Sequence, residues 1–510
     1  MSFSLLAILV SSSVGQIQIP APPPFPVKRV ENPDTWKRDG WDRLDRIKKA
    51  KIREGKAKNV ILFVGDGMGI STLTAARILE GQLRGESGEE NSLSFEQFPF
   101  SAFSKTYSVN QQTSDSAPTM SAIVTGEKTK DGMISVNQNV IPNDVRTYKG
   151  NESISILQYA EQAGLSTGVV STARLTHATP AACYSHSPER DWESDRNIAT
   201  SNKAAHDAGY PDIARQLIEF KYGDGLEVAF GGGRTNFLPE TQNDPEYPET
   251  KGRRLDGRDL TKEWAAKRKG AEYVWDKKGF DAIDTKKAKS VLGIFEPSHM
   301  QYEADRSNDK AGEPSLTEMA TKAVDILSNN KKGYFLMVEG GRIDHSHHDG
   351  SAYKALRDTI ALSDAVKAVA SKVNLDETLI IVTADHSHVF TIAGYPYRGN
   401  NILGFVRSNK ADGSYSENYA LALDQKPYTT LGYMNGPGAT RDAARTMLSM
   451  DTAIGNSFRQ QSLVPLGSET HGGEDVAIYA NGVNAHYFRG SMEQNWIFYV
   501  MADALGLARK

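Results

Sequence analysis

Short apolar runs recur along the chain, separated by stretches with helical periodicity and by polar loops. Val60-Ile61-Leu62-Phe63-Val64 is a continuous apolar run, the pattern of a strand buried on both faces. Ser71 to Gly81 predicts a helix that stops at a glycine. Ser155 to Ala163 predicts another, closed by Gly164, with a strand from Thr167 to Ser171 after it. Between Ser315 and Asn329, the residues Leu316, Met319, Ala320, Ala323 and Leu327 fall on one helical face. Strand Tyr334 to Val338, helix Tyr353 to Val373 and strand Thr378 to Thr383 follow. This alternation predicts an α/β fold, a single large and mostly parallel sheet sandwiched between helices.

Two regions break the rhythm. Residues 235–314 are rich in proline, glycine and charge, and residues 394–470 are polar and glycine-rich with weak periodicity. Both predict insertions on a core formed by 57–393 and 471–510. Ahead of the core, 19–56 predicts an N-terminal arm: proline-rich and extended from Pro20 to Pro26, then an exposed amphipathic helix within Trp36 to Lys56. Residues 1–18, with an apolar run from Leu5 to Val10, predict a secretory signal that lacks the usual basic start. Secretion or periplasmic export is the expected localisation. No later stretch approaches the roughly 20 apolar residues that span a bilayer. No period of about 20 to 50 residues repeats, which excludes a solenoid.

Composition narrows the function class. The 510 residues are 39% hydrophobic and 24% charged, ample for a sizeable core. With 59 basic against 63 acidic side chains, the net charge of -4 argues against a dedicated nucleic-acid or polybasic membrane binder. Cys183 is the only cysteine, so no intramolecular disulfide forms, and it reads as a small apolar filler.

Three of the predicted strands end in chemistry. Gly65-Asp66-Gly67-Met68-Gly69 follows the first; Glu339-Gly340-Gly341-Arg342-Ile343-Asp344-His345-Ser346-His347-His348 follows Val338; Ala384-Asp385-His386-Ser387-His388 follows Thr383. Parallel sheets bind ligands at the carboxyl ends of their strands, so these loops are expected to converge. Six of the eleven histidines lie in three acidic segments, the third being Glu469-Thr470-His471-Gly472-Gly473-Glu474-Asp475. Mixed imidazole and carboxylate suits Zn²⁺, and oxygen alone suits Mg²⁺. Asp344 and His348 stand one helical turn apart and can face one ion. Ile70 occupies the place of the third glycine after Val64, which argues against a dinucleotide fingerprint. Thr113-Ser114-Asp115-Ser116-Ala117-Pro118 puts Ser116 near a helix start, where an N-terminus favours negative charge; alone it reads as an ordinary N-cap. Thr176-His177-Ala178-Thr179-Pro180 offers hydroxyl and imidazole, and Arg190 a planar fork for two phosphate oxygens.

Together these segments resemble the alkaline phosphatases, the animal-type branch and its bacterial relatives, over nearly the whole chain. The resemblance implies a two-zinc, one-magnesium site that hydrolyses small-molecule phosphate monoesters through a phosphoserine. It implies Asp344, His348 and His471 on the first zinc; Asp66, Asp385, His386 and Ser116 on the second; Asp66, Thr179 and Glu339 on magnesium; Arg190 as phosphate clamp; and His177 and His388 as supporting groups. It implies a homodimer, a crown-like surface insertion at 394–470, and a calcium ion held by Glu246, the Phe295 carbonyl, Glu296 and Glu313. Pro118 replaces a usual glycine, and the animal enzymes' disulfides cannot form. The alternatives are a sulfatase, a phosphodiesterase of the same superfamily, or a non-catalytic metal- or phosphate-binding protein. A sulfatase needs arginine at Met120.

Overall fold

The structure is a computed structural model that describes residues 21–267, 269–440 and 444–507. The expected signal segment, Pro20 and the last three residues lie outside that range. Ten strands form the main sheet: β1 Asn59–Gly65, β2 Phe100–Lys105, β3 Ser166–Arg174, β4 Val228–Gly232, β5 Ala271–Val274, β6 Ser290–Ile294, β7 Tyr334–Gly340, β8 Thr378–Ala384, β9 Val476–Gly482 and β10 Ser491–Glu493. Their order across the sheet is β10-β2-β9-β8-β1-β7-β3-β4-β6-β5. The run from β8 to β5 is parallel throughout, and β9 lies antiparallel to both its neighbours.

The continuous apolar runs have a simple cause. On β1, Ile61 and Phe63 face one core, and Val60, Leu62 and Val64 face the other. Helices Ile70–Leu83, Leu316–Leu327 and Ala352–Lys372 cover the first face; Ser116–Thr125, Ile156–Gln162 and Trp496–Leu505 cover the second. Several expected boundaries coincide with caps. Ser155 and Ser315 each accept a hydrogen bond from the third helical N–H in a capping box. The helix expected from Ser71 to Gly81 begins at Ile70 and runs two residues past the glycine.

Register places the chemistry. Gly65 pairs with Gly340 on one side and Ala384 on the other, so β1, β7 and β8 end in one row. Asp66, Glu339 and Asp385 are therefore neighbours before any side-chain rotamer is chosen.

The segment 235–314 differs from a pure insertion, since it supplies β5 and β6 to the edge of the main sheet. Ser290–Ile294 is a short apolar strand obscured by charged flanks. In 394–470, Leu431–Gly436 pairs with Phe390–Ile392 and Ser462–Pro465 in a separate three-stranded sheet. The arm is stitched to this region: Ala21 N donates to Glu417 O at 2.9 Å and Phe25 N to Gly399 O at 2.8 Å. Its helix spans Pro33–Lys48, shorter than the expected reach to Lys56, and leaves Trp36 and Trp41 52% and 67% exposed.

Leu336, fully buried at the centre of β7, has no room to be truncated without a cavity. Leu336→Ala is expected to cost about 2–5 kcal/mol, read as a shift of the denaturant midpoint. Ser315→Ala, which removes one cap bond, is expected to cost only about 1 kcal/mol in the same titration.

Candidate active site

The turn after β1 carries Asp66 between glycines for a steric reason. Gly67 has φ +67°, and a Cβ there would sit 2.3 Å from His388 Nε2. Gly67 N instead donates to Asp385 Oδ1 at 3.1 Å, tying the ends of β1 and β8 together. Four carboxylates converge beneath this turn: Asp66, Glu339 and Asp385 are fully buried and Asp344 is 4% exposed. Burial and the Asp66 charge push Asp385 up to about 6 and Glu339 well above its ordinary range.

The imidazoles around them are fixed in one tautomer. His348 Nδ1 donates to Glu469 O at 2.6 Å, His471 Nδ1 to Ser114 O at 2.7 Å and His386 Nδ1 to Ser387 O at 3.2 Å. Each Nε2 is then left with its lone pair facing inward. His348 Nε2 and His471 Nε2 lie 3.1 Å apart and 3.3 and 3.4 Å from Asp344 Oδ1. Lone pairs and a carboxylate facing one point repel unless a cation joins them. His386 Nε2 stands 3.3 Å from Asp66 Oδ1 and 3.5 Å from Asp385 Oδ2. Burial works against the His386 imidazolium, but Asp385 and Asp66 raise it to about 10, which expresses the same demand for positive charge. Beside this, Asp66 Oδ2, Thr179 Oγ1 and Glu339 Oε1 are buried without hydrogen-bond partners. An all-oxygen set of this kind fits a hard cation such as Mg²⁺. The donors present therefore fit the divalent cations that the sequence implies.

Ser116 is not the N-cap. Asp115 is, its side chain accepting from Ala117 N at 3.1 Å, and Ser116 is the first residue of helix Ser116–Thr125. Its buried hydroxyl sits 3.0 Å from His386 Nε2 and 3.3 Å from Asp66 Oδ1. Pro118 at the third helical position is tolerated because the first-turn N–H groups lack intrahelical partners. Arg190 reaches the same point, with Nη1 paired to Asp115 Oδ1 and Nη2 3.0 Å from His177 Nε2. Burial opposes the Asp115 charge, yet Arg190 draws its pKa down to about 2, so Arg190 and Asp115 are held as a fixed ion pair.

Comparison with known proteins agrees with this geometry. The family model described as alkaline phosphatase matches residues 57–507. The chain belongs to the alkaline phosphatase family. It is 43% identical to the tissue-nonspecific alkaline phosphatase isozyme of Rattus norvegicus over 488 residues, covering 94% of this chain and 90% of that protein. It is 42% identical to the alkaline phosphatase of Gadus morhua over 487 residues, covering 94% and 98%. Among solved structures, Thermus thermophilus alkaline phosphatase superposes with a TM-score of 0.63 at 23% identity, covering 91% of this chain and 94% of that one. The enzyme from the Antarctic bacterium TAB5 gives 0.59 at 20% identity, covering 89% and 100%. The two structural matches speak for the α/β fold. As a member of this family the protein is a phosphoric monoester hydrolase, and that reading stands over the sulfatase, phosphodiesterase and non-catalytic ones.

Among alkaline phosphatase features, sequence reasoning missed the supports. Glu469, named only as a flank of His471, is buried with Oε2 2.6 Å from His388 Nδ1 and Oε1 accepting from Val389 N at 2.8 Å. His388 Nε2 in turn lies 2.9 Å from Asp344 Oδ1, which gives the supporting role of His388 a geometry. Asp115 was visible only as a neighbour of Ser116; its acidity next to an expected phosphate site was the available signal. In the expected calcium set, Glu246 and Glu296 come together with Asp309. Glu313 stands beside them, its carboxylate accepting from Gln301 N at 3.1 Å. Phe295 ends in the same loop, with its ring buried against Phe230 and Phe280. The short 3-10 turn Arg306–Asn308 before Glu313 ends at Asp309, which joins the cluster in a way that spacing alone does not reveal.

Glu469→Gln keeps the shape but weakens the anchor of His388 and Asp344. Metal retention is expected to fall about 10–100-fold in chelator competition, while the melting temperature of the metal-stripped protein changes little.

Proposed function

We propose that the protein hydrolyses phosphate monoesters by way of a phosphoserine on Ser116, in a site that takes two zinc ions and one magnesium ion. The observation that carries this reading is the Ser116 hydroxyl, buried at a helix N-terminus and 3.0 Å from an inward-facing imidazole nitrogen. Asp344, His348 and His471 would hold one zinc; Asp66, Asp385 and His386, with Ser116, the other; Asp66, Thr179 and Glu339 the magnesium. Bound there, the ions would polarise phosphoryl oxygens and lower the pKa of the serine hydroxyl. Ser116 Oγ forms the bond to phosphorus as the ester oxygen leaves with the alcohol, and water then cleaves the Ser116 ester to release phosphate. Arg190, oriented by Asp115 and His177, binds two non-bridging oxygens, and the first-turn N–H groups favour the negative charge.

We further infer a homodimer, joined through the exposed Trp36 and Trp41 of the arm helix and the crown-like region 394–470. Leu463, 77% exposed on that region, supports the same surface. The expected calcium ion would be held by Glu246 and Glu296 with Asp309, beside Glu313 and the Phe295 carbonyl, by their oxygen chemistry. Export to the periplasm or medium rests on the apolar N-terminal segment. No helix among the described residues is long and apolar enough to cross a membrane.

Ser116→Ala is expected to lower p-nitrophenyl phosphate turnover by more than about a thousandfold. Acid-quenched wild type should carry phosphate on Ser116 in peptide mass spectrometry. Full turnover by the alanine variant would sink the nucleophile assignment. Exhaustive chelation should abolish activity, and zinc with magnesium should restore it; calcium alone should not.

A further inference from the structure

Helix Arg342–His348 presents two faces to the site. Asp344 and His348 approach the cation set, whereas Arg342 and His345, three residues apart, share the adjoining face. A wall of polar side chains runs from the phosphate clamp along that second face. Arg190 Nη2 meets His177 Nε2, the His177 and His345 rings meet edge to face at 5.3 Å, and His345 lies 4.0 Å from His299 between ring centroids. Arg174 touches His299 at both ring nitrogens but is already committed to Glu193 in a two-pronged ion pair.

Arg342 is placed differently. Its guanidinium stacks on Tyr302, 3.7 Å from the ring centroid, and its Nε is buried without a hydrogen-bond partner. The carboxylates that feel its charge are engaged elsewhere. Asp305 pairs with Lys354 at 2.7 Å, and Asp358 accepts from Glu303 N at 3.2 Å. His177 Nδ1 and His345 Nδ1 are likewise buried and unpartnered. Unsatisfied buried nitrogens in one row, beside a guanidinium with no ion pair among the described residues, call for a ligand rich in oxygen.

We propose that this wall is a second anion subsite that receives a phosphate carried on the leaving alcohol of a bisphosphorylated substrate. Arg342 is its principal donor, with His345 as hydrogen-bonding partner. A tetrahedral phosphate offers oxygens out of one plane to a planar fork and a ring beside it, more than the single plane of a carboxylate uses. The reaction at Ser116 is unchanged: one ester bond is exchanged for water, and the second phosphate departs intact on the alcohol. The subsite rests on the phosphomonoesterase reading above.

Glucose 6-phosphate and glucose 1,6-bisphosphate differ by one phosphate and make the test. The wild-type metal-loaded enzyme is expected to show about tenfold higher kcat/KM for the bisphosphate at low ionic strength. Arg342→Ala should bring that ratio close to one. Because each ratio is taken within one preparation, partial loss of folded variant cancels. A wild-type ratio near one, or a ratio intact in Arg342→Ala, overturns the subsite while glucose 6-phosphate turnover leaves the monoesterase reading standing. No turnover of either sugar phosphate by folded wild type overturns that reading as well.

Discussion

Mutual repulsion among buried carboxylates is the constraint from which the rest of the structure follows. Asp66, Glu339, Asp344 and Asp385 are all within 4% of full burial. Buried anions without partners are too costly for a folded chain to keep, so this arrangement is stable only around positive charge. The sheet supplies the opposite condition. Its in-register strand ends hold the backbone of these residues in place whatever their side chains prefer. Folding energy from two apolar cores is thereby spent on holding like charges together, and cation binding relieves the strain.

The imidazoles convert that general demand into geometry. Each inward-facing ring is tied through its other nitrogen to a main-chain carbonyl, so ring orientation follows the backbone and not a loose rotamer. His388 is held differently, between the carboxylates of Glu469 and Asp344. The two-residue ribbon that pairs His471 with His388 brings the far end of the chain to the centre of the sheet. Arg190 completes the pattern as a guanidinium held by Asp115, the residue before Ser116.

The strand ends were legible because a buried parallel strand leaves an unmistakable apolar run, and the residue after it is the one that meets ligand. Asp66, Glu339 and Asp385 could be read in this way, and Asp344 with His348 from one helical turn. Ser116 was readable as a residue near a helix start but not as its first helical residue, since Asp115 and Ser116 are both good caps. Edge strand β5 and its neighbour β6 escaped notice because short strands amid charge carry little periodicity. Glu469 and Asp309 escaped for another reason: their roles depend on which distant loops meet, and that is set by tertiary packing rather than local pattern.

One bond has a consequence beyond orientation. The proton on His471 Nδ1 is accepted by the carbonyl of Ser114, two residues before Ser116. A group that binds at His471 and a group that binds at Ser116 therefore act on one rigid element from its two ends. By reciprocity, if a ligand at one end changes affinity at the other, the second changes affinity for the first by the same factor.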